Sequence, residues 1–353
     1  MLALALAAVV GTWTPAAPVA EYATIVAADP AVPGRVYAGT GAGLFKSEDG
    51  GATWAHAGSR PSCEDVHALG IDASSSDVVY AGTNTSINCV SPGGDGLFRS
   101  PDAAKEWTAL ETGHPIAQLK TVPGVPGRLY VISARSCTLI HNFFVDCDYQ
   151  LLRSDDFGES FSPAFAGLPG AWAASFDIDE RNPLRLWAVA GGVYRSDNGG
   201  VSWVRLEEPD GIPGNVEWAS IAVDPRNGDR LLVSTSSGVF RSVDGGAHWE
   251  ASAPADLLPM TQFLFDSVRP GVVYAVVNNG DVFRSVDDGV SWSAFDVGLE
   301  DVHIIFGLSE GAPEGRNGQF LYAATGQGVF VIDLGGPIRP AVPAGPAVTP
   351  GRP

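Results

Sequence analysis

Three acidic side chains stand just ahead of apolar runs. Asp65 precedes Val66-His-Ala-Leu-Gly-Ile71, Glu217 precedes Ser220-Ile-Ala-Val-Asp224, and Asp301 precedes His303-Ile-Ile-Phe306. Two carboxyl groups about 5–10 Å apart can hydrolyse a glycosidic bond. Nothing in the sequence selects a pair among these three, so each stands only as a single catalytic candidate. Tyr22, His67, Gln118, Trp172, Trp218, Gln262 and His303 hold comparable places at the starts of such runs. Aromatic platforms with polar neighbours suit a sugar ring, through stacking and hydrogen bonds. The plainer reading of the two tryptophans is packing between neighbouring sheets, and of the two histidines a satisfied structural role. Four cysteines, Cys63, Cys89, Cys137 and Cys147, include no Cys-x-x-Cys pair, which leaves zinc and dithiol redox chemistry without support. An even count in an acidic, export-like chain reads as two disulfides, with reduced buried thiols as the alternative.

The elements that must position these residues repeat along the chain. Six segments align: Ser47-Glu-Asp-Gly-Gly-Ala-Thr-Trp54, Ser100-Pro-Asp-Ala-Ala-Lys-Glu-Trp107, Ser154-Asp-Asp-Phe-Gly-Glu-Ser-Phe161, Ser196-Asp-Asn-Gly-Gly-Val-Ser-Trp203, Ser242-Val-Asp-Gly-Gly-Ala-His-Trp249 and Ser285-Val-Asp-Asp-Gly-Val-Ser-Trp292. Their serines lie 53, 54, 42, 46 and 43 residues apart, the period of a propeller blade. The pattern suits a hairpin. The acid (Asp49, Asp102, Asp156, Asp244, Asp287, with Asn198 in the fourth copy) and the serine can close the turn onto nearby backbone. Glycine supplies the positive φ where the chain reverses. Ala104 replaces that glycine in the second copy, so its turn is expected to be strained.

Before each segment lies an apolar strand such as Gly238-Val-Phe-Arg-Ser242, and before that a second, such as Val36-Tyr-Ala-Gly-Thr40. An innermost strand precedes both. A seventh copy, Gly328-Val-Phe-Val-Ile-Asp333, has no tryptophan strand after it, while Trp13 near the N-terminus has no strands before it. Trp13 to Ile25 and Trp292 to Ile304 each span 12 residues. The chain is therefore expected to be all-β: a seven-bladed propeller of four-stranded antiparallel blades, its ring closed by the strand around Trp13. Closure removes exposed sheet edges. Lys46, Arg99, Arg153, Arg195, Arg241 and Arg284 recur at one blade position, which marks them as structural.

Alternating strands send the loops to two faces. The Ser-x-Asp turns share one face with the Asp/Pro turns that follow the innermost strands. The other face carries the turns between second and third strands and the connections between blades. Those turns are short in blades four and five, but loops are expected over 84–95 and 134–149 in blades two and three. Long loops in a compact domain are usually functional. All four cysteines fall on this face, and their positions suggest the pairs Cys63–Cys89 and Cys137–Cys147. His141, Phe143, Phe144 and Tyr149 suggest either an apolar knob for a partner or a cover over the channel mouth.

The Ser-x-Asp-x-Gly-x-Ser/Thr-Trp pattern resembles the Asp box, or bacterial neuraminidase repeat. That resemblance invites a sialidase reading, which implies three channel arginines, a Tyr/Glu nucleophile pair, an Asp acid and a Phe/Tyr-Arg-Ile-Pro motif. None of these maps here. Ser59-Arg60-Pro61-Ser62 is the nearest match and lacks the aromatic and the isoleucine, and only Arg60 and Arg135 fall on the right face. Sialidase propellers also typically have six blades. The repeat text is more similar to propellers of xyloglucanases, sortilin-type ectodomains and photosystem II assembly factors, within the WD40/YVTN/BNR-like repeat group. The resemblance covers about residues 12–336 and is one of fold, which does not specify function. Xyloglucanases set their two catalytic carboxylates between two propellers, and one propeller is read here.

Composition bounds the remaining choices. The 40 acidic and 21 basic residues give a net charge of −19, which disfavours nucleic acid and anionic membrane surfaces. No cofactor or metal is called for, although the acidic balance leaves room for a structural cation such as calcium. Residues 1–10, MLALALAAVV, are too short to span a bilayer. They resemble the apolar part of a secretory signal without its basic flank, the alternative being a packed or disordered N-terminus. The propeller is assigned to 11–336, and 337–353 read as a Pro-rich tail or linker. The expected protein is an extracytoplasmic, monomeric, non-catalytic binding or scaffold propeller for a protein or glycan. The alternative is a glycoside hydrolase, sialidase-like or xyloglucanase-like, using channel-mouth carboxylates.

Overall fold

The second strands of the repeats, such as Val36–Thr40, Val79–Thr83 and Val273–Val277, are buried along their whole length. Their continuous apolar runs follow from that placement, since each lies mid-blade with a neighbouring blade on either face. In the computed structural model these strands organise seven four-stranded antiparallel sheets arranged as a ring. The structure describes residues 11–16, 22–58, 66–72, 74–83, 96–112, 114–140, 143–169, 175–206, 220–253, 260–277, 280–311 and 319–335. Of 111–112, 135–140, 143–148, 253 and 260–261 it describes the backbone alone. Among the described residues no helix is long and apolar enough to cross a membrane.

The innermost strands are Ala23–Ala28, Val66–Ile71, Ile116–Thr121, Ser175–Ile178, Ser220–Asp224, Met260–Phe265 and Ile305–Gly311. Each pairs with the second strand of its own blade. Closure occurs as the sequence implied. Thr14–Pro15 pairs with Gly328–Asp333 to complete blade seven, with Thr14 opposite Val331. Trp13 is 2% exposed, and its indole N–H donates to the Phe295 carbonyl of blade six at 2.8 Å. It packs among Tyr274, Leu321 and Phe330, so the first and sixth-blade segments share one core with the last.

The repeated motif closes each turn with its own side chains. In blade one, Ser47 Oγ donates to Asp49 Oδ1 at 2.8 Å and accepts from the Gly51 amide at 2.8 Å. Asp49 also accepts from the Thr53 amide and hydroxyl. The whole net recurs at Asp156 and Asp287; at Asp102 the serine and amide bonds recur without the hydroxyl, Glu106 standing there, and at Asp244 the His248 ring takes the hydroxyl's place. Asn198 keeps the net by accepting from the Ser196 hydroxyl and the Ser202 amide through its carbonyl and donating to the Ser202 hydroxyl through its own amide. Ala104 does adopt left-handed backbone, with φ of 69°, where the other five copies carry glycine; Ala103 beside it, with φ of 59°, shares its left-handed place with Phe157 and Asp288. That is the strain expected of the second turn.

Two of the repeated side chains stitch the ring. Lys46, Arg99 and Arg153 each donate to a carbonyl in the next blade's turn, at Ala103, Phe157 and Gly199. Trp107 and Trp203 donate their indole N–H back to the preceding blade, at Ala57 and Ala164. The recurrent basic residue is therefore a blade-to-blade contact at these three junctions.

Blade three departs from the expected loop. Residues 134–140 and 143–149 continue the ladder. The strands Leu129–Ile140 and Phe143–Ser154 pair out to Ile140↔Phe143 and form a ribbon. The sequence hid this because its alternation of polar and apolar residues is broken by two register shifts.

Candidate functional site

The channel mouth on the ribbon face is built by the first residues of the innermost strands. Five of these strands carry a register shift there: Ala23/Ile25, Val66/Ala68, Ile116/Gln118, Met260/Gln262 and Ile305/Gly307. Such a bulge re-aims the extra side chain and is common beside functional sites. The bulged positions are Thr24, His67, Ala117, Thr261 and Phe306. Thr24 is buried, and its hydroxyl reaches the carbonyls of Gly39 and Val66, tying blade one to blade two. His67 is half-buried at its bulge. Phe306 is 46% exposed and Ile304 is 50% exposed.

Gln118 and Gln262 use both ends of their amides on the next blade. Gln118 donates to the Phe176 carbonyl at 3.1 Å and accepts from the Phe176 amide at 3.2 Å. Gln262 brackets Leu308 in the same way, at 3.3 and 2.7 Å. These side chains join blades three to four and six to seven. Tyr22 lays its hydroxyl end over the turn at Gly41, where a β-carbon would have to push the ring aside, and stays exposed. Asp301 and His303 are exposed at the entry to blade seven, where Gln327 donates to the Asp301 carbonyl. Gly280 presses on the His303 carbonyl and leaves no room for a side chain.

Asp65, Trp172, Glu217, Trp218, His141, Cys63 and Cys89 lie outside the described residues. Phe143, Phe144, Cys137 and Cys147 are described by backbone alone, on the ribbon. Tyr149, at the ribbon base, packs against the core shared by blades three and four. Among the described residues no group of three or more His, Cys, Asp or Glu side chains is placed to hold a metal ion.

Sequence reasoning missed Ile304 and Phe306. It took His303 as the mouth residue of blade seven, three positions before the bulge. Aligning the repeats on the bulge, where the others carry Thr24, His67, Ala117 and Thr261, would have exposed a lone phenylalanine.

The opposite end of the channel is different. A cavity of about 250 Å³ is lined by Ala27, Pro30, Leu69, Ile71, Leu119 and Lys120. The Lys120 ammonium is taken up by Asp177, which also accepts from the Val223 amide of blade five. Glu180 is reachable by solvent yet surrounded by protein. That desolvation, with repulsion from Asp177, holds its carboxyl above the ordinary range despite Lys120.

These features define a seven-bladed β-propeller with a self-bonded turn face and an open, partly apolar mouth on the other. The sequence matches no family model and no curated protein. Its fold is similar to that of the GH74 xyloglucanase from Xanthomonas campestris, at 17% identity and a TM-score of 0.66. That match covers 92% of this chain and 54% of the other, so the chain spans about half the xyloglucanase's length. It is similar over nearly the whole of both chains to YCF48 bound to D1 peptide, at 13% identity and a TM-score of 0.65, covering 92% and 97%. YCF48 from Cyanidioschyzon merolae matches at 12% identity and a TM-score of 0.62. Propellers of this shape thus include both glycoside hydrolases and a peptide-bound protein, and at these identities the likeness is one of fold.

Proposed function

We propose that the chain is an extracytoplasmic, non-catalytic binding propeller that recognises an extended peptide segment at the mouth on the ribbon face. The observation that carries this reading is the exposure of Ile304, Phe306 and Tyr22 at that mouth, beside glutamine amides already committed to neighbouring blades. Exposed apolar and aromatic side chains clustered at one face mark a surface that a partner can cover. The near-complete overlap with YCF48, whose structure holds a peptide, supports the choice of ligand class. The xyloglucanase overlap, which takes in about half of that chain, keeps glycoside hydrolysis as the alternative reading.

Selection from a displayed random-peptide library, run beside a glycan array and a glycosidase screen, tests this. The expected result is peptide binding that falls at least about tenfold in Phe306→Ser and Ile304→Ser, with no turnover of glycans. Glycan hydrolysis lost in Asp65→Ala, Glu217→Ala or Asp301→Ala would establish the hydrolase instead. Glycan binding without turnover would move the ligand class and keep the site.

A further inference from the structure

The blade-three ribbon changes register once and changes it back. From Leu129↔Ser154 to Ala134↔Tyr149 its base keeps one register, and from Thr138↔Val145 to Ile140↔Phe143 its tip keeps the same one. Between them, Ser136 faces Asp148, displaced by a single residue, with an irregularity on each side. Had the base register run through, Cys137 would oppose Asp146 and Cys147 would oppose Ser136. Continuing the displaced register from Ser136↔Asp148 instead sets Cys137 opposite Cys147.

Two irregularities in so short a ladder leave backbone groups unpaired, so something must offset them. Residues directly opposite in an antiparallel pair have Cα atoms about 4.5–5.5 Å apart. A disulfide spans about 4.4–6.8 Å, so this register is one that a disulfide can use. The ribbon also needs support. Among the described residues the innermost strand pairs as far as Ser133, with one further bond from the Ala134 amide to the Pro115 carbonyl, and the outermost only with Leu152 and Arg153, so no third strand is described beside 135–140 and 143–149. A two-stranded ribbon alone is marginal in water.

We propose that Cys137 and Cys147 form a disulfide that clasps the ribbon in the displaced register. The two thiols give up two protons and two electrons as the S–S bond forms. An external disulfide oxidant, oxidised glutathione or an export-compartment thiol oxidase, takes them up and becomes two thiols. The clasp stands whether or not the mouth binds peptide, since it rests on the ladder alone.

The test uses the full chain, produced in an oxidising compartment. Free thiols are blocked under denaturing conditions, and the unreduced digest is read by mass spectrometry. The expected product is one peptide pair joined through Cys137 and Cys147, two hydrogens lighter than its reduced form. Blocked thiols at either position, or a bond from either to Cys63 or Cys89, would overturn the pairing. Hydrogen exchange is then compared in wild type, in mildly reduced wild type and in Cys137→Ser/Cys147→Ser. The amides of 135–148 are expected to exchange at least about tenfold faster without the bond, with 129–133 and 150–154 unchanged. Equal exchange in all three would overturn the clasp.

Discussion

On the face that carries the Ser-x-Asp turns, serine, acid and turn amide bond to one another within each motif, and in blades one to three Lys46, Arg99 and Arg153 carry the bonding into the next blade. On the ribbon face the polar groups described at the mouth also bond across blades, but Ile304, Phe306 and Tyr22 remain open to solvent. The first face repeats in blades one to six; on the second, the ribbon of blade three and the exposed Ile304 and Phe306 of blade seven depart from their neighbours. Repetition therefore marks what builds the ring, and departure from it marks what the ring presents. Substitutions on the turn face should change stability with little change in binding, and substitutions at the mouth should do the reverse.

The largest effect is expected at the closure. Trp13→Ala removes a buried indole and its bond to Phe295, and should cost about 3–5 kcal/mol in urea unfolding. A cost below about 1 kcal/mol would mean that the ring holds without its N-terminal strand. Next comes Ser242→Ala, which leaves the Gly246 amide and Asp244 without the buried hydroxyl. Its cost should be about 1–3 kcal/mol, with peptide binding unchanged once the protein is folded.

The turn acids also set a pH dependence. Asp156 and Asp287 are held down to about 2, chiefly by the hydroxyls and amides of Ser160 and Ser291 and then by Ser154 and Ser285. A folded value below the ordinary 3.8 means that the stabilisation is complete above that pH and is lost as pH falls toward about 2. Urea midpoints should drop over that window, and Asp287→Asn should flatten the drop. A midpoint unchanged from pH 6 to about 2.5 would contradict it. Smaller still, Ala104→Gly relieves left-handed backbone and should stabilise by up to about 1 kcal/mol in the same assay. Phe306→Ser should move stability by no more than about 0.5 kcal/mol while weakening peptide binding.

Blade count, strand order and ring closure were legible because each is written repeatedly. A serine, an acid and a tryptophan at fixed spacing define the turns, with Asn198 and Phe161 as single replacements, and Trp13 completes the one copy that lacks its last strand. The mouth was legible only in part. Gln118 and Gln262 look like ligand residues in sequence, and only the approach of Phe176 and Leu308 from the next blade shows where their amides go. Phe306 was hidden because it is the bulged residue itself, outside the period-two alternation of its strand. The ribbon was hidden by its two register shifts, since strand alternation is read with a period of two.

The contrast between the faces is tested most directly by mapping where a selected peptide sits. Hydrogen exchange of the wild-type protein is measured with and without the library-selected peptide at saturation. Protection of the amides at 303–307, with 119–122 beside the opposite cavity unchanged, is the expected result. Protection at 119–122 with none at 303–307 would place the ligand on the turn face and contradict the account.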